Sequence, residues 1–289
     1  MILIPLSLAI SGGAATASHD AVGVTEITPN VLVFATSSGN VVASVGPDGA
    51  LLVGTPSVGS TSQIGDILAS RTKSAVRYLV VFPEDLAHSE GDAGWGRRGA
   101  FVAMQENALD RLGGHAMGPA QPLPHRLVDL GVDRPRIAFS EVLTFDLNGE
   151  AAHVVHQKPG YSNADAIAHF HVANLIYLGE VFPGDGYPMI DHEEGGKLDG
   201  LLKTLGSWTG SAFRIVPARG SVTNGADVKA FHDMIVMVRD RVQQMIQAGK
   251  TEQQILAEHP TAEFDDRWGH GRVTPEGFVQ EIYSALKTP

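Results

Sequence analysis

The sequence lacks cysteine, is poor in basic residues and has few charges of either sign. With no Cys among 289 residues, disulfides, thiolate metal ligands and a thiol nucleophile are all excluded. The 21 Lys and Arg residues are scattered and outnumbered by 32 Asp and Glu residues, which argues against nucleic acid or an anionic membrane surface as a partner. Beyond the first residues, no segment approaches the roughly 18 apolar residues that a bilayer-spanning helix needs. We therefore expect no membrane span.

Hydrophobic residues make up 43% of the chain and charged residues 18%, a composition typical of a globular protein. Residues 1–18 contain an apolar run, Ile2 to Ile10, followed by the small residues Ala15-Thr16-Ala17, a pattern typical of a signal peptide. We expect export to the periplasm or the medium, with a cytoplasmic protein carrying an apolar leader as the alternative. The remaining chain divides into residues 19–225 and a helical extension, residues 226–289, packed on the same domain.

The order of predicted elements indicates the architecture. Each half of residues 19–225 begins with β runs joined by turn sequences, such as Pro47-Asp48-Gly49 and Asn148-Gly149, and continues into a helix. Two such halves favour two packed sheets with helices outside, which is a four-layer αββα sandwich in the α/β class. Residues 113–124 are rich in Gly and Pro and predict a loop or flap that overhangs a site.

The stretch from Val81 to Asp92 directly follows the most strand-like run of the chain. Its frame resembles the H-x-H-x-D-H metal-binding loop of the metallo-β-lactamase superfamily. The four ligand positions read Pro83, Asp85, Ala87 and His88. Proline and alanine offer no donor, and aspartate replaces a nitrogen ligand by an oxygen.

Three further motifs carry the same resemblance, which extends from about Ile27 to the C-terminus. The stretch 160–165 is similar to A-H-T-x-G-D with Tyr161 at the His, 179–182 is similar to G-D-x-F with Glu180 at the Asp, and 217–220 is similar to P-G-H-G with Arg219 at the His. A strand-end Asp of the family is replaced by Gly54. The resemblance implies the metallo-β-lactamase fold with a degenerate metal centre.

Of the positions that hold ligands in the family, only His88 is unchanged, while Asp85 and Glu180 could offer oxygens. We therefore expect neither a dinuclear zinc site nor another cofactor. The alternative is a divalent cation, Zn²⁺, Mn²⁺ or Mg²⁺, on Asp85, His88 and Glu180. Arg219 favours the first prediction, because a permanent cation repels a metal ion. We hypothesise that an ion pair between Arg219 and Glu180 replaces the metal.

The chemistry left without zinc is limited. Zinc lowers the pKa of bound water from about 15.7 to about 7. At about 1.36 kcal/mol per pKa unit, this lowers the free energy of forming hydroxide by roughly 12 kcal/mol. His88 as a general base would contribute only about 10²–10⁴-fold. Tyr161 is the other candidate catalytic residue.

The sequence therefore predicts a pseudoenzyme or small-molecule-binding protein that keeps the cleft between the two sheet edges. The alternative is a hydrolase of an ester, thioester or lactam that uses a non-standard metal site or metal-free general-base chemistry. A third reading is an interaction protein whose helical tail forms a homodimer. His169 and His171 share one strand face, but with no third partner nearby in sequence they favour a surface or core pair over a metal site.

Overall fold

The computed structural model describes residues 21–55, 58–82, 94–96, 98–111 and 137–287. Within these residues the chain forms two sheets. The first has the spatial order β1 to β7, and its strands are β1 (Gly23–Thr28), β2 (Val31–Ala35), β3 (Asn40–Ser44), β4 (Ala50–Val53), β5 (Val76–Val81), β6 (Phe101–Gln105) and β7 (Ile137–Phe139). The second contains β8 (Val142–Leu147), β9 (Glu150–His156), β10 (Ala166–Phe170), β11 (Leu175–Gly179), β12 (Arg214–Pro217) and β13 (Thr223–Asn224), in the reverse spatial order.

The predicted hairpins are confirmed, and turn chemistry explains them. Strands β8 and β9 pair in antiparallel register with Leu147 opposite Glu150, so the turn consists of Asn148 and Gly149 alone. Both residues have positive φ, 59° and 72°, as a type I′ turn requires, and Asn and Gly are the residues that adopt it most readily. Strands β3 and β4 are joined in the same antiparallel way, with Gly49 at φ 100°.

The helices of the described chain are α1 (Val58–Arg71), α2 (Glu106–Arg111), α3 (Leu198–Gly206), α4 (Gly225–Gln247), α5 (Glu252–Ala257), α6 (Asp265–Trp268) and α7 (Pro275–Lys287). Thr274 followed by Pro275 predicts a capped helix start, and the structure confirms it, since Thr274 Oγ1 accepts from Gly277 N at 3.0 Å at the start of α7. Ser60-Thr61 are residue types that favour an N-cap and predict a helix start, but this prediction is wrong, because α1 begins at Val58 and both residues lie inside it. Neither β7 nor β13 was predicted, since each is only two or three residues long.

Three apolar clusters separate four layers, which confirms the αββα sandwich. One lies between the sheets and contains Val33 and Val80 from the first and Val154 and Tyr177 from the second. Another lies between the first sheet and its helices, including Ile64 of α1. The last joins the outer face of the second sheet to residues of α3, α4 and α7: Ile176, Ile215, Leu201, Phe231, Met234 and Phe278.

The C-terminal helices thus belong to the sandwich's outer layer. Trp268, 8% exposed, packs against Phe231 and Phe264 with ring centroids 6.3 and 6.0 Å apart, and its contact with Phe231 anchors α6 to α4. Over the described ranges, no helix combines the length and the apolar character that crossing a bilayer requires.

Candidate functional site

Glu180 and Arg219 meet because two neighbouring strands end at the same sheet edge. Strands β11 and β12 pair in parallel, with Gly179 opposite Pro217. Parallel strands deliver their carboxyl ends to one edge, which is where sites form in open α/β sheets. Glu180 follows β11 immediately, and Arg219 follows β12 after one residue. The topology therefore brings together two residues separated by 39 positions.

The two side chains form a bidentate ion pair. Arg219 Nη2 donates to Glu180 Oε2 at 3.0 Å, and Nη1 donates to Oε1. Arg219 Nε also donates to Asp185 Oδ2 at 2.7 Å. A second guanidinium, from Arg272, donates to Glu180 Oε1. Glu180, 6% exposed, is thus a buried carboxylate neutralised by two cations.

The electrostatics of Arg219 follow from these contacts. Its side chain is 17% exposed, and burial acts to lower its pKa. The hydrogen bonds and charge of Glu180, followed by those of Asp185, outweigh burial and raise the pKa above the ordinary range. Arg219 is a permanent cation at any pH at which the protein is folded.

The loop that carries Arg219 is fixed by the first sheet. The Asn40 side chain, 3% exposed, donates through Nδ2 to the carbonyl oxygens of Pro217 and Gly220, both at 2.9 Å. The Asn40 backbone N–H donates to Ala218 O at 2.7 Å. These three bonds fix the backbone on both sides of Arg219. Asn40 of the first sheet therefore helps to position the Arg219 side chain.

Gly54 stands where the resemblance has a strand-end Asp, and its surroundings do not accommodate a larger side chain. Its φ is 92°, a conformation that favours glycine. A Cβ at this position would lie 2.8 Å from Asn40 O and 3.3 Å from the Tyr177 hydroxyl oxygen. The structure therefore has no room for a carboxylate there.

Tyr161 lies in a loop that Asp165 organises. The Asp165 carboxylate, 3% exposed, accepts from the backbone N–H groups of Gly160, Tyr161 and Ser162 at 2.9, 2.7 and 2.8 Å. It also accepts from Ser162 Oγ at 2.9 Å. Burial raises the Asp165 pKa to about 6, although each of these bonds acts to lower it. Ser162 is fully buried and is not an accessible nucleophile.

A cavity of about 260 Å³ opens beside the ion pair. Its lining includes Arg219 and also Arg267, whose Nη2 donates to Asp227 Oδ1 at 2.9 Å. The lining mixes guanidinium, hydroxyl and aromatic groups and includes Phe182, Arg219, Ser221, Thr223, Arg267 and Trp268.

The structure describes some of the site residues that the sequence predicts and not others. Glu180 and Arg219 are in contact, and Tyr161 lies in the Asp165 loop. Asp85 and His88 lie outside the described residues, as do the flap at 113–124 and the leader at 1–18. Sequence reasoning missed Arg272, which is separated from Glu180 by 92 positions and belongs to no motif. It also missed Asp185, which is one of many acidic residues.

The described residues do not fit a dinuclear zinc centre. A guanidinium has no lone pair to donate to a metal, and it stands where the family places its last ligand. Nowhere in the described ranges do three or more His, Asp or Glu side chains form a group that could hold a metal ion. The Glu180 carboxylate, which falls at a ligand position of the resemblance, is committed to two arginines.

Comparisons with known proteins support the fold through structure alone. No protein-family model matches the chain, and no curated protein matches it. Among solved structures, the stereoselective inverting sec-alkylsulfatase of a Pseudomonas species aligns with a TM-score of 0.62 and 14% identity, covering 92% of this chain and 50% of the alkylsulfatase. This chain thus spans about half the length of that enzyme.

Two further structures give the same result. A double mutant of a sec-alkylsulfatase aligns with a TM-score of 0.65 and 13% identity, again over 92% of this chain and 50% of the other. A metallo-β-lactamase from Pontibacter korlensis aligns with a TM-score of 0.57 and 14% identity, over 74% of this chain and 99% of that protein. The two packed sheets, their outer helices and these alignments agree that this chain has the metallo-β-lactamase fold.

Proposed function

We propose that this chain is a metallo-β-lactamase-fold protein without a competent dinuclear zinc site, and that it binds a small molecule in the cavity beside Arg219. The observation that carries the proposal is the state of the Glu180 carboxylate, which is buried and held by Arg219 and Arg272. In this arrangement Glu180 is a structural counter-ion rather than a metal ligand or a base. In this proposal the protein is a pseudoenzyme, because it has the fold but lacks a competent zinc site.

Charge balance supports this assignment. A divalent cation placed beside Glu180 would lie within a few ångströms of two guanidinium groups. At an effective dielectric constant of about 20, two unit charges about 4 Å apart interact by roughly 4 kcal/mol, and a divalent ion doubles this repulsion for each arginine. The arginines already provide the charge compensation that a metal would otherwise provide.

The cavity favours a ligand with a hydrogen-bond acceptor at one end and a short apolar part. The guanidinium groups of Arg219 and Arg267 and the hydroxyl of Ser221 supply donors in the lining, while the Thr223 hydroxyl and Arg267 both donate to Asp227. Trp268 and Phe182 supply an apolar surface. Because the solved relatives include sec-alkylsulfatases, a short secondary alkyl sulfate and the matching carboxylate are suitable probes.

The experiment is calorimetric titration of the purified protein with each probe. We expect saturable binding that Ser221→Trp, which fills the exposed side of the cavity, weakens by at least about tenfold, a difference of about 1.4 kcal/mol. Ser70→Trp, on the exposed face of α1, is the matched control and should bind normally. If neither probe binds saturably, the ligand assignment is contradicted.

The same preparations separate the hydrolase alternative. Turnover of the alkyl sulfate, a lactam or a thioester would contradict pseudoenzyme status. If that turnover tracked a stoichiometric metal that Asp85→Ala and Glu180→Gln both removed, the non-standard metal site would be the better account. Turnover without metal that His88→Gln abolished would favour general-base chemistry instead.

A further inference from the structure

Three histidines meet on the outer face of the second sheet, away from the candidate site. His153 of β9 lies directly opposite His169 of β10, and His171 follows β10 on the same face. The ring centroids of His169 and His171 are 3.9 Å apart, and those of His153 and His171 are 4.5 Å apart. The structure thus supplies the third histidine that sequence spacing did not reveal.

Few hydrogen bonds are described for the three histidine rings. His153 Nδ1 shares a hydrogen bond with Thr144 Oγ1 at 3.1 Å. His169 Nε2 is buried and has no partner within the described structure, and the edge of Phe213 covers this ring with centroids 4.8 Å apart. A charge placed on His169 would therefore be both desolvated and unpaired.

The charged groups near the cluster are Asp146 on the same sheet face and two residues that contact the backbone of the turn, Arg214 and Glu150. On β8, Asp146 lies two residues beyond Thr144 on the same face, and it makes no described bond to a ring. On β12, Arg214 Nη1 donates to Ala173 O at 3.2 Å, which places a cation near the turn. From the opposite face, Glu150 accepts the N–H groups of Val172 and Ala173, both at 2.8 Å, and so holds the turn at 171–174.

We propose that this three-histidine cluster is an acid-sensitive latch for the turn that joins β10 to β11. Neutral rings stack and keep His171 and its turn against β9. Protonation places like charges on rings less than 5 Å apart. The His171 end of the turn, whose backbone N–H donates to Ala151 O at 3.0 Å, then loosens from β9, while Glu150 still accepts the N–H groups of Val172 and Ala173. Strand β11 runs from this turn to Glu180, so the latch lies at the far end of the strand that carries the candidate site.

The direction of the pH effect follows from His169. Burial, and then the charges of His171 and His153, lower the His169 pKa to about 4 from its ordinary value of 6.5. A group whose pKa is lower in the folded state contributes stability above its unfolded pKa and loses it as the pH falls towards the folded value. The latch is therefore closed above about pH 6.5 and opens progressively towards about pH 4.

The test is hydrogen exchange of peptides spanning residues 166–178, measured at about pH 7 and about pH 5 and corrected for intrinsic rates. In the unmodified protein we expect protection to fall by about tenfold or more at the lower pH. His171→Gln, at an exposed position, should reduce that fall to about threefold or less. His270→Gln, an exposed histidine outside the cluster, is the matched control and should behave like the parent.

An equal loss of protection in His171→Gln and the parent would overturn the proposal, as would a parent with no loss. A titration of the imidazole carbon resonances provides a second readout that needs no variant to fold. The proposal requires one ring of the cluster to titrate below about pH 5. Three ordinary titrations near pH 6.5 would contradict it.

Discussion

The carboxylates of Glu180 and Asp165 are buried to nearly the same degree, 6% and 3% exposed, but are stabilised by opposite means. Glu180 is neutralised by guanidinium groups from residues 39 and 92 positions away. Asp165 has no counter-ion among its described bonds and accepts four hydrogen bonds from donors within five residues. One carboxylate depends on the tertiary fold, and the other on the conformation of its own loop.

This difference explains how each relates to the family resemblance. A charge held by loop N–H groups needs no partner elsewhere, so Asp165 can fix the loop shape whichever side chain stands at position 161. A charge held by distant cations depends on where those cations stand, so a cation at the last ligand position changes what Glu180 can do. The state of Glu180 therefore depends on distant residues, while that of Asp165 depends on its own loop.

The largest effect is expected when Arg219 is removed. Arg219→Ala leaves a buried carboxylate with only the more exposed Arg272, and breaking a buried pair in this way costs about 3–5 kcal/mol. The measurement is urea unfolding of the variant and the parent. The double variant Arg219→Met with Glu180→Met removes both charges and should recover most of the loss. A loss below about 1 kcal/mol in Arg219→Ala would reduce the pair to an ordinary surface contact.

A smaller loss is expected for Asp165→Asn. The amide keeps one acceptor oxygen but points an NH₂ group at backbone donors, so at least one buried donor loses its partner, at a cost of about 1–3 kcal/mol. Urea unfolding at neutral pH gives the value. Asp199→Asn, an exposed aspartate in the first turn of α3, is the matched control and should change stability by less than about 0.5 kcal/mol.

The pH dependence of the same pair of proteins sharpens the comparison. Burial raises the pKa of Asp165 from 3.8 to about 6. A raised folded pKa contributes stability that is complete below the unfolded pKa and is lost as the pH rises through the folded value. The stability of the parent relative to Asp165→Asn should therefore decrease between about pH 4 and about pH 6. Parallel curves would mean that the four donors cancel the effect of burial.

The smallest effect is expected at Arg272. Its side chain is 56% exposed, so solvent screens the charge and Arg219 still neutralises Glu180. Arg272→Ala should cost about 0.5–1 kcal/mol in urea unfolding. A loss as large as that of Arg219→Ala would show that the two cations act as one unit, and that Glu180 needs both.

The fold could be predicted from the sequence because its signals are local. Alternation of apolar residues gives the strands, Asn148-Gly149 gives the tight turn and Thr274-Pro275 gives the helix start. Strand β7 and strand β13 carry too few residues for a pattern, so they escaped prediction. The Ser60-Thr61 cap failed because a residue type favoured at a helix start is also tolerated inside the first turns.

The site could be predicted only where a motif marked it. The P-G-H-G frame placed Arg219 and the G-D-x-F frame placed Glu180, and parallel strand pairing brings their loops together. Arg272, Asp185 and the Asn40 contacts come from distant segments that no local pattern links. His153 belongs to no such pattern either, because strand register rather than sequence spacing places it opposite His169.

The central claim is that a guanidinium occupies the electrostatic position of a metal ion beside Glu180. Its most direct test is the metal content of protein purified without chelator, measured by inductively coupled plasma mass spectrometry after exposure to equimolar Zn²⁺, Mn²⁺ and Mg²⁺ and removal of the unbound ions. We predict well below about one ion per chain, because the Glu180 carboxylate is already paired. About one or two ions per chain, lost in Glu180→Gln, would contradict the account.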